Sequence, residues 1–146
     1  MLAACSSTAT DTGGSSSGAG TITPGSPEDL VANVGDRVFF DTDRSSLSDE
    51  ARATLQRQAA WMQLYPNLTF TLEGHADERG TREYNLALGG RRANAAKDYL
   101  VSLGVNGGRI NTVSYGKERP VCLDSNDNCW SQNRRAVTVV ASGVGS

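Results

Sequence analysis

Leu72-Glu73-Gly74-His75-Ala76-Asp77-Glu78-Arg79-Gly80-Thr81-Arg82-Glu83-Tyr84-Asn85-Leu86-Ala87-Leu88-Gly89-Gly90-Arg91-Arg92-Ala93 begins as one kind of structure and ends as another. Just before it, Leu68, Phe70 and Leu72 alternate with Thr69, Thr71 and Glu73, the period of a strand with one buried face, and Gly74 closes that run. From about Thr81 to Leu103 helical spacing takes over, with Gly104 in C-cap position. Asp77 therefore sits in a strand-to-helix loop near the positive end of a helix, where a carboxylate stays ionised and is placed to meet a cation. Asn85, Gly89 and Arg92 follow at helical intervals and share one face. Glycine inside a helix costs ~1 kcal/mol relative to alanine, so the Gly89-Gly90 pair asks for a packing or ligand explanation.

Working outward, Arg37-Val38-Phe39-Phe40 after Gly35 reads as a first strand. Ser48 is a good N-cap, Asp49 and Glu50 suit a first turn, and Leu47, Ala51, Leu55, Ala59 and Met62 recur at helical spacing until Pro66. Arg109 to Tyr115 and Arg135 to Val140 read as the last two strands. The order β-α-β-α-β-β predicts an α+β sandwich, one sheet with helices packed on one face.

The 146 residues leave room for one modest domain, and the first thirty or so are too polar to join its core. A net charge of −2 gives no broad cationic field, which argues against nucleic acid as a partner. No run of eighteen or more apolar residues exists, so no membrane-crossing helix is expected. Cys122 and Cys129 enclose a short polar loop with no other soft metal ligand and are read as a disulfide, which implies an oxidising compartment. Cys5 is then the odd cysteine.

Leu2-Ala3-Ala4-Cys5 is similar to a bacterial lipobox, whose cysteine is acylated and becomes the mature N-terminus. From Ser6 to about Pro27 the chain is Ser, Thr, Gly, Ala and Pro with little to bury. About 25 such residues span roughly 30 Å root-mean-square and at most about 90 Å, a fitting reach for a lipid tether. The expected organisation is a lipobox remnant (1–4), an acylated cysteine with its tether (5–32), and a folded domain (33–142). Ser6 after the cysteine resembles the signal for outer-membrane delivery.

The run from Gly74 to Ala93 resembles the signature of the OmpA C-terminal-like domain family, Gly-His-Thr-Asp, then Gly, Asn, Leu-Ser and Arg-Ala, and the likeness extends from about Val34 to Val140. Ala76 stands for the usual Thr and Gly89 for the usual Ser; neither change removes a charge. With Trp130-Ser131-Gln132-Asn133-Arg134-Arg135, the match is similar to the peptidoglycan-associated lipoprotein branch of that family. The resemblance implies non-covalent binding of peptidoglycan through diaminopimelate, which carries an ammonium and a carboxylate on one carbon. Asp77 would hold the ammonium and Arg92 the carboxylate, as a planar fork that Lys does not reproduce. Asn85, Asp41, Thr42 and Phe40 are carried over as walls of the groove. The resemblance also implies an outer-membrane lipoprotein of the Tol-Pal system, with TolB and other Tol proteins as partners.

Residue spacing by itself favours a plainer arrangement, Asp77 and Arg92 paired with each other to hold the loop on the helix. His75 is the only histidine; a loop-orienting hydrogen bond suits it better than a metal, and no cofactor is expected. Glu73, Asp77 and Glu78 as acid and base on a glycan make a weak case for an enzyme, since one is on a strand and two in a loop. A flagellar stator or a porin would require a membrane helix or barrel ahead of the domain. The fold is expected to survive replacement of either Asp77 or Arg92.

Overall fold

Residues 21–142 are described in the computed structural model of the chain, so the Leu2-Ala3-Ala4-Cys5 motif and most of the expected tether lie outside the described residues. Four helices each start at a side-chain cap. Ser26 accepts from the Asp29 amide ahead of α1 (Pro27–Asp29), which runs on into a π-helical turn (Leu30–Val34). Ser48 accepts from Ala51 ahead of α2 (Asp49–Leu64), Thr81 from Tyr84 ahead of α3 (Arg82–Ser102), and Asn126 from Cys129 ahead of α4 (Asp127–Asn133). The strands are β1 (Arg37–Phe39), β2 (Thr69–His75), β3 (Ile110–Gly116) and β4 (Arg135–Ser142).

They form one sheet in the order β1-β4-β2-β3, with β2 and β3 parallel and β4 antiparallel to both its neighbours. The α+β class and the main element order match the sequence reading. Alternation puts Val38, Phe70, Leu72, Ile110 and Ala136 on the covered face, against Leu55, Ala59 and Met62 of α2 and Ala93, Ala96 and Leu100 of α3. Burial of that apolar surface is the main favourable contribution to the fold.

Two expectations need correction. The tether does not run to residue 32, because the chain joins the fold from Ser26: Leu30 is buried in the core and Trp61 Nε1 donates to Asp29 Oδ2 at 2.8 Å. A single buried leucine and a capped aspartate are enough to dock this segment on α2, and composition averaged over the stretch hides both. Secondly, α4 was not anticipated. Its sequence is a poor helix former, and its ends are held by side chains instead: Asn126 caps it, and Asn133 accepts from the amides of Val121 and Cys122 and donates to the Cys122 carbonyl.

Gly89 belongs to packing rather than to a ligand. A Cβ added to Gly74 would overlap the Gly89 carbonyl, and one added to Gly89 would lie 2.8 Å from the Gly74 oxygen and collide with Ser114 Oγ. Backbone contact here lets α3 sit close on β2, which fixes the distance between the loop carrying Asp77 and the helix carrying Arg92.

Candidate functional site

Arg92 is completely buried, an arrangement that a charged side chain tolerates only with its donors engaged. Its Nε donates to the Arg44 carbonyl at 2.9 Å, Nη1 to the His75 carbonyl at 2.9 Å and Nη2 to the Asp41 carbonyl at 3.0 Å. The acceptors come from the β1–α2 loop and the end of β2, so one guanidinium ties three parts of the site together. A guanidinium has five N–H donors, and three bonds leave one on each Nη. Burial and the charge of Arg134 bring the Arg92 pKa down to about 10, so the group is cationic at neutral pH. Phe40 lies under it, with the guanidinium carbon 5.3 Å from the ring centroid.

Asp77 and Arg92 line the same cleft, of about 260 Å³, with Thr42, Asp43, Arg79, Gly80, Tyr84, Asn85 and Leu88. They do not pair with each other. The Asp77 carboxylate is met instead by Arg79, at 2.8 Å from Nη2 and 3.2 Å from Nε, and by Arg134 Nη1 at 3.4 Å. The Arg79 amide adds a bond to Oδ1 at 3.0 Å. Burial opposes ionisation of Asp77, but the bonds from Arg79 outweigh it and hold the carboxyl below its ordinary pKa.

Of the expected walls, Thr42 lines the cleft, and Asn85 does so while fixing its edge, its Nδ2 donating to the Arg79 carbonyl at 2.7 Å. Phe40 and Asp41 are not among the residues that line this cleft. Phe40 is a core residue, and both line a different cleft of about 490 Å³ along the edge strand β1. Asp41 contributes to the charged cleft through its carbonyl alone. Asp43 lines the cleft, turning at φ 60° and accepting from the Tyr84 hydroxyl at 3.1 Å. Sequence reading missed Asp43, Arg79 and Tyr84; the extra acid in Asp41-Thr42-Asp43 and the base two residues after Asp77 were the available signals.

His75 is buried on the other face of the sheet, its Nε2 3.4 Å from Glu73 Oε1 and its ring 5.5 Å from that of Tyr115. Burial, then Arg135, Arg119 and Arg37, depress its pKa to about 4, so the ring is neutral at ordinary pH. Its carbonyl, not its ring, orients the site, by holding Arg92. Among the described residues no group of three or more His, Cys, Asp or Glu side chains could hold a metal ion. Cys122 and Cys129 are disulfide-bonded, Cα atoms 4.9 Å apart, at the base of α4, which presents Trp130 to the loop: its Nε1 donates to Glu78 Oε2 at 2.7 Å and its ring carries the Arg79 guanidinium at 4.1 Å. Within residues 21–142 no helix is long and apolar enough to cross a membrane.

Comparison with known proteins gives a consistent pattern. The sequence profile of the OmpA family matches residues 39–135. The chain is 62% identical to a peptidoglycan-associated lipoprotein of Rhizobium meliloti over 93% of its own length and 77% of the relative's. It is 43% identical to the one from Haemophilus influenzae, over 93% of this chain and 88% of that one. The crystal structure of the peptidoglycan-associated lipoprotein from Burkholderia pseudomallei superposes with a TM-score of 0.72 at 42% identity, covering 81% of this chain and 96% of that one. The C-terminal domain of Helicobacter pylori MotB shares the fold, with a TM-score of 0.69 at 19% identity over 75% of this chain and 86% of that one.

Proposed function

The chain belongs to the OmpA family, among the peptidoglycan-associated lipoproteins, and from that membership we propose that its folded domain binds peptidoglycan and tethers the outer membrane to the cell wall. The role is binding, not catalysis. The ligand group is the diaminopimelate of the stem peptide. Its ammonium meets the ionised Asp77 carboxylate, and its carboxylate takes the two N–H groups that Arg92 has left after its three carbonyl bonds. The observation that supports this reading is a cleft holding one ionised carboxylate and one immobilised guanidinium that are not spent on each other. Because the Arg92 fork is already fixed, little conformational freedom is lost when a carboxylate docks on it. Asn85 and Thr42 complete the cleft.

The same proposal includes acylation at Cys5, a tether of Ser, Thr and Gly from there toward residue 25, residence in the outer membrane with the domain in the periplasm, and work with TolB and other Tol proteins. Sedimentation with isolated diaminopimelate-type sacculi tests the binding. The wild-type domain is expected to pellet with the wall and Asp77→Asn to stay largely in the supernatant; equal pelleting of the two would remove Asp77 from the site.

A further inference from the structure

The carboxylate assigned to a ligand ammonium already has a cation on it. Arg79 reaches across the cleft, with Nε and Nη2 on Asp77 at 3.2 and 2.8 Å and Nη2 also 3.3 Å from Thr42 Oγ1 on the other side. Its backbone cannot follow the side chain, since the amide is held by Asp77 Oδ1 at 3.0 Å and the carbonyl by Asn85 at 2.7 Å. The next residue, Gly80, turns at φ +94°, and its carbonyl accepts from Lys117 Nζ at 2.6 Å, which pins the far side of the loop. The Arg79 side chain itself is 40% exposed, so its guanidinium, which lies over Trp130 while it pairs with Asp77, has room to turn out toward solvent.

We infer that Arg79 is a built-in competitor for the ligand's ammonium, a side chain that occupies Asp77 in the empty cleft and must leave that carboxylate before a cation can bind there. The inference deepens the proposed function and rests on it. Displacement costs every ammonium ligand the same amount, so Arg79 sets a threshold of affinity rather than a preference among amines. A lone amine that meets only Asp77 merely exchanges one cation for another. A ligand that also brings a carboxylate to Arg92 gains a bond that Arg79 does not supply.

Calorimetric titration of a diaminopimelate-containing stem tripeptide into wild type, Arg79→Ala and Asp77→Asn tests this. Arg79→Ala is expected to bind about two- to fivefold more tightly than wild type, the worth of a half-exposed ion pair. The same peptide with its side-chain amine acetylated should gain nothing from Arg79→Ala. Unchanged or weaker binding by Arg79→Ala, with Asp77→Asn still impaired, would overturn the competitor while leaving the wall-binding reading in place. Absence of binding by all three proteins would overturn both. Circular dichroism checks that each variant is folded, and an Arg79→Gln variant, which keeps a polar side chain without the charge, should reproduce the tightening if removal of the charge is its cause.

Discussion

Arg92 Nη1 donates to the carbonyl oxygen of His75 at 2.9 Å, which makes a residue of the candidate binding site also a strut of the fold. With Nε and Nη2 on the Arg44 and Asp41 carbonyls, its loss would leave three backbone acceptors short of a partner inside the protein. Arg92→Ala is expected to lower stability by about 3–5 kcal/mol, measured by urea unfolding. Replacements of Asp77 and Arg92 are therefore not expected to be equivalent. A loss below about 1 kcal/mol would mean that the three carbonyl bonds contribute little.

Acid should weaken the fold through His75. Its folded-state pKa of about 4 lies below the ordinary 6.5, so between those values the unfolded chain binds a proton that the folded chain refuses. Stability should then be full above about pH 6.5 and fall as pH drops toward 4, by up to about 3 kcal/mol. His75→Asn should flatten this slope, there being no other histidine in the chain. Denaturant melts of both proteins from pH 4 to 7 check it, and parallel curves would count against the assignment.

The Cys122–Cys129 bond closes a loop of eight residues. On the chain-entropy estimate it stabilises by about 2.5 kcal/mol. Reduction is expected to lower the melting temperature and also to loosen α4, so that Trp130 fluorescence becomes more accessible to quenchers than before reduction. Identical melting with and without reductant would show the bond to be energetically idle.

Close backbone contact between β2 and α3 gives a further expectation. Gly74→Ala should cost at least about 3 kcal/mol, because the added carbon meets the Gly89 carbonyl, a group that cannot rotate away. Gly90→Ala should be neutral to stabilising, since the nearest atom to its added carbon is Ser114 Cβ at 3.9 Å. Thermal melts of the two variants separate these outcomes.

How far the sequence carried the reading differed from one residue to the next. Periodicity was enough for β2 and α3, and once those were in place the loop and helix face brought Asp77 and Arg92 into one cleft. Partner choice was not legible. Spacing favoured an Asp77–Arg92 pair, whereas the carboxylate pairs with Arg79 and Arg134, the second from the far end of the chain. Which of Asp41, Thr42 and Asp43 faces the cleft was not legible either, because they leave the strand through a turn, and the positive φ of Asp43 sets the direction of the last one. No period-two or helical rule reaches such a turn. Leu30 and α4 were missed because each is held by a few specific contacts rather than by a repeating pattern.

The anchor is open to a separate check. In a precursor supplied with a complete export signal, Cys5→Ser should release the protein from the outer membrane into the soluble periplasmic fraction, because a single acylated residue is the proposed link. Continued fractionation with the membrane would contradict acylation at Cys5.

The central claim is that Asp77 and Arg92 bind opposite charges on one ligand carbon, and ligand substitution addresses it without disturbing the protein. A stem peptide with lysine in place of diaminopimelate keeps the ammonium and lacks the carboxylate, leaving the buried Arg92 fork with its two remaining N–H groups unmet. Calorimetric titration of wild-type protein with the two peptides is expected to show the diaminopimelate form binding roughly tenfold to a hundredfold more tightly, the range that charge-assisted hydrogen bonding to Arg92 supports. Equal affinity for the two peptides would contradict the account.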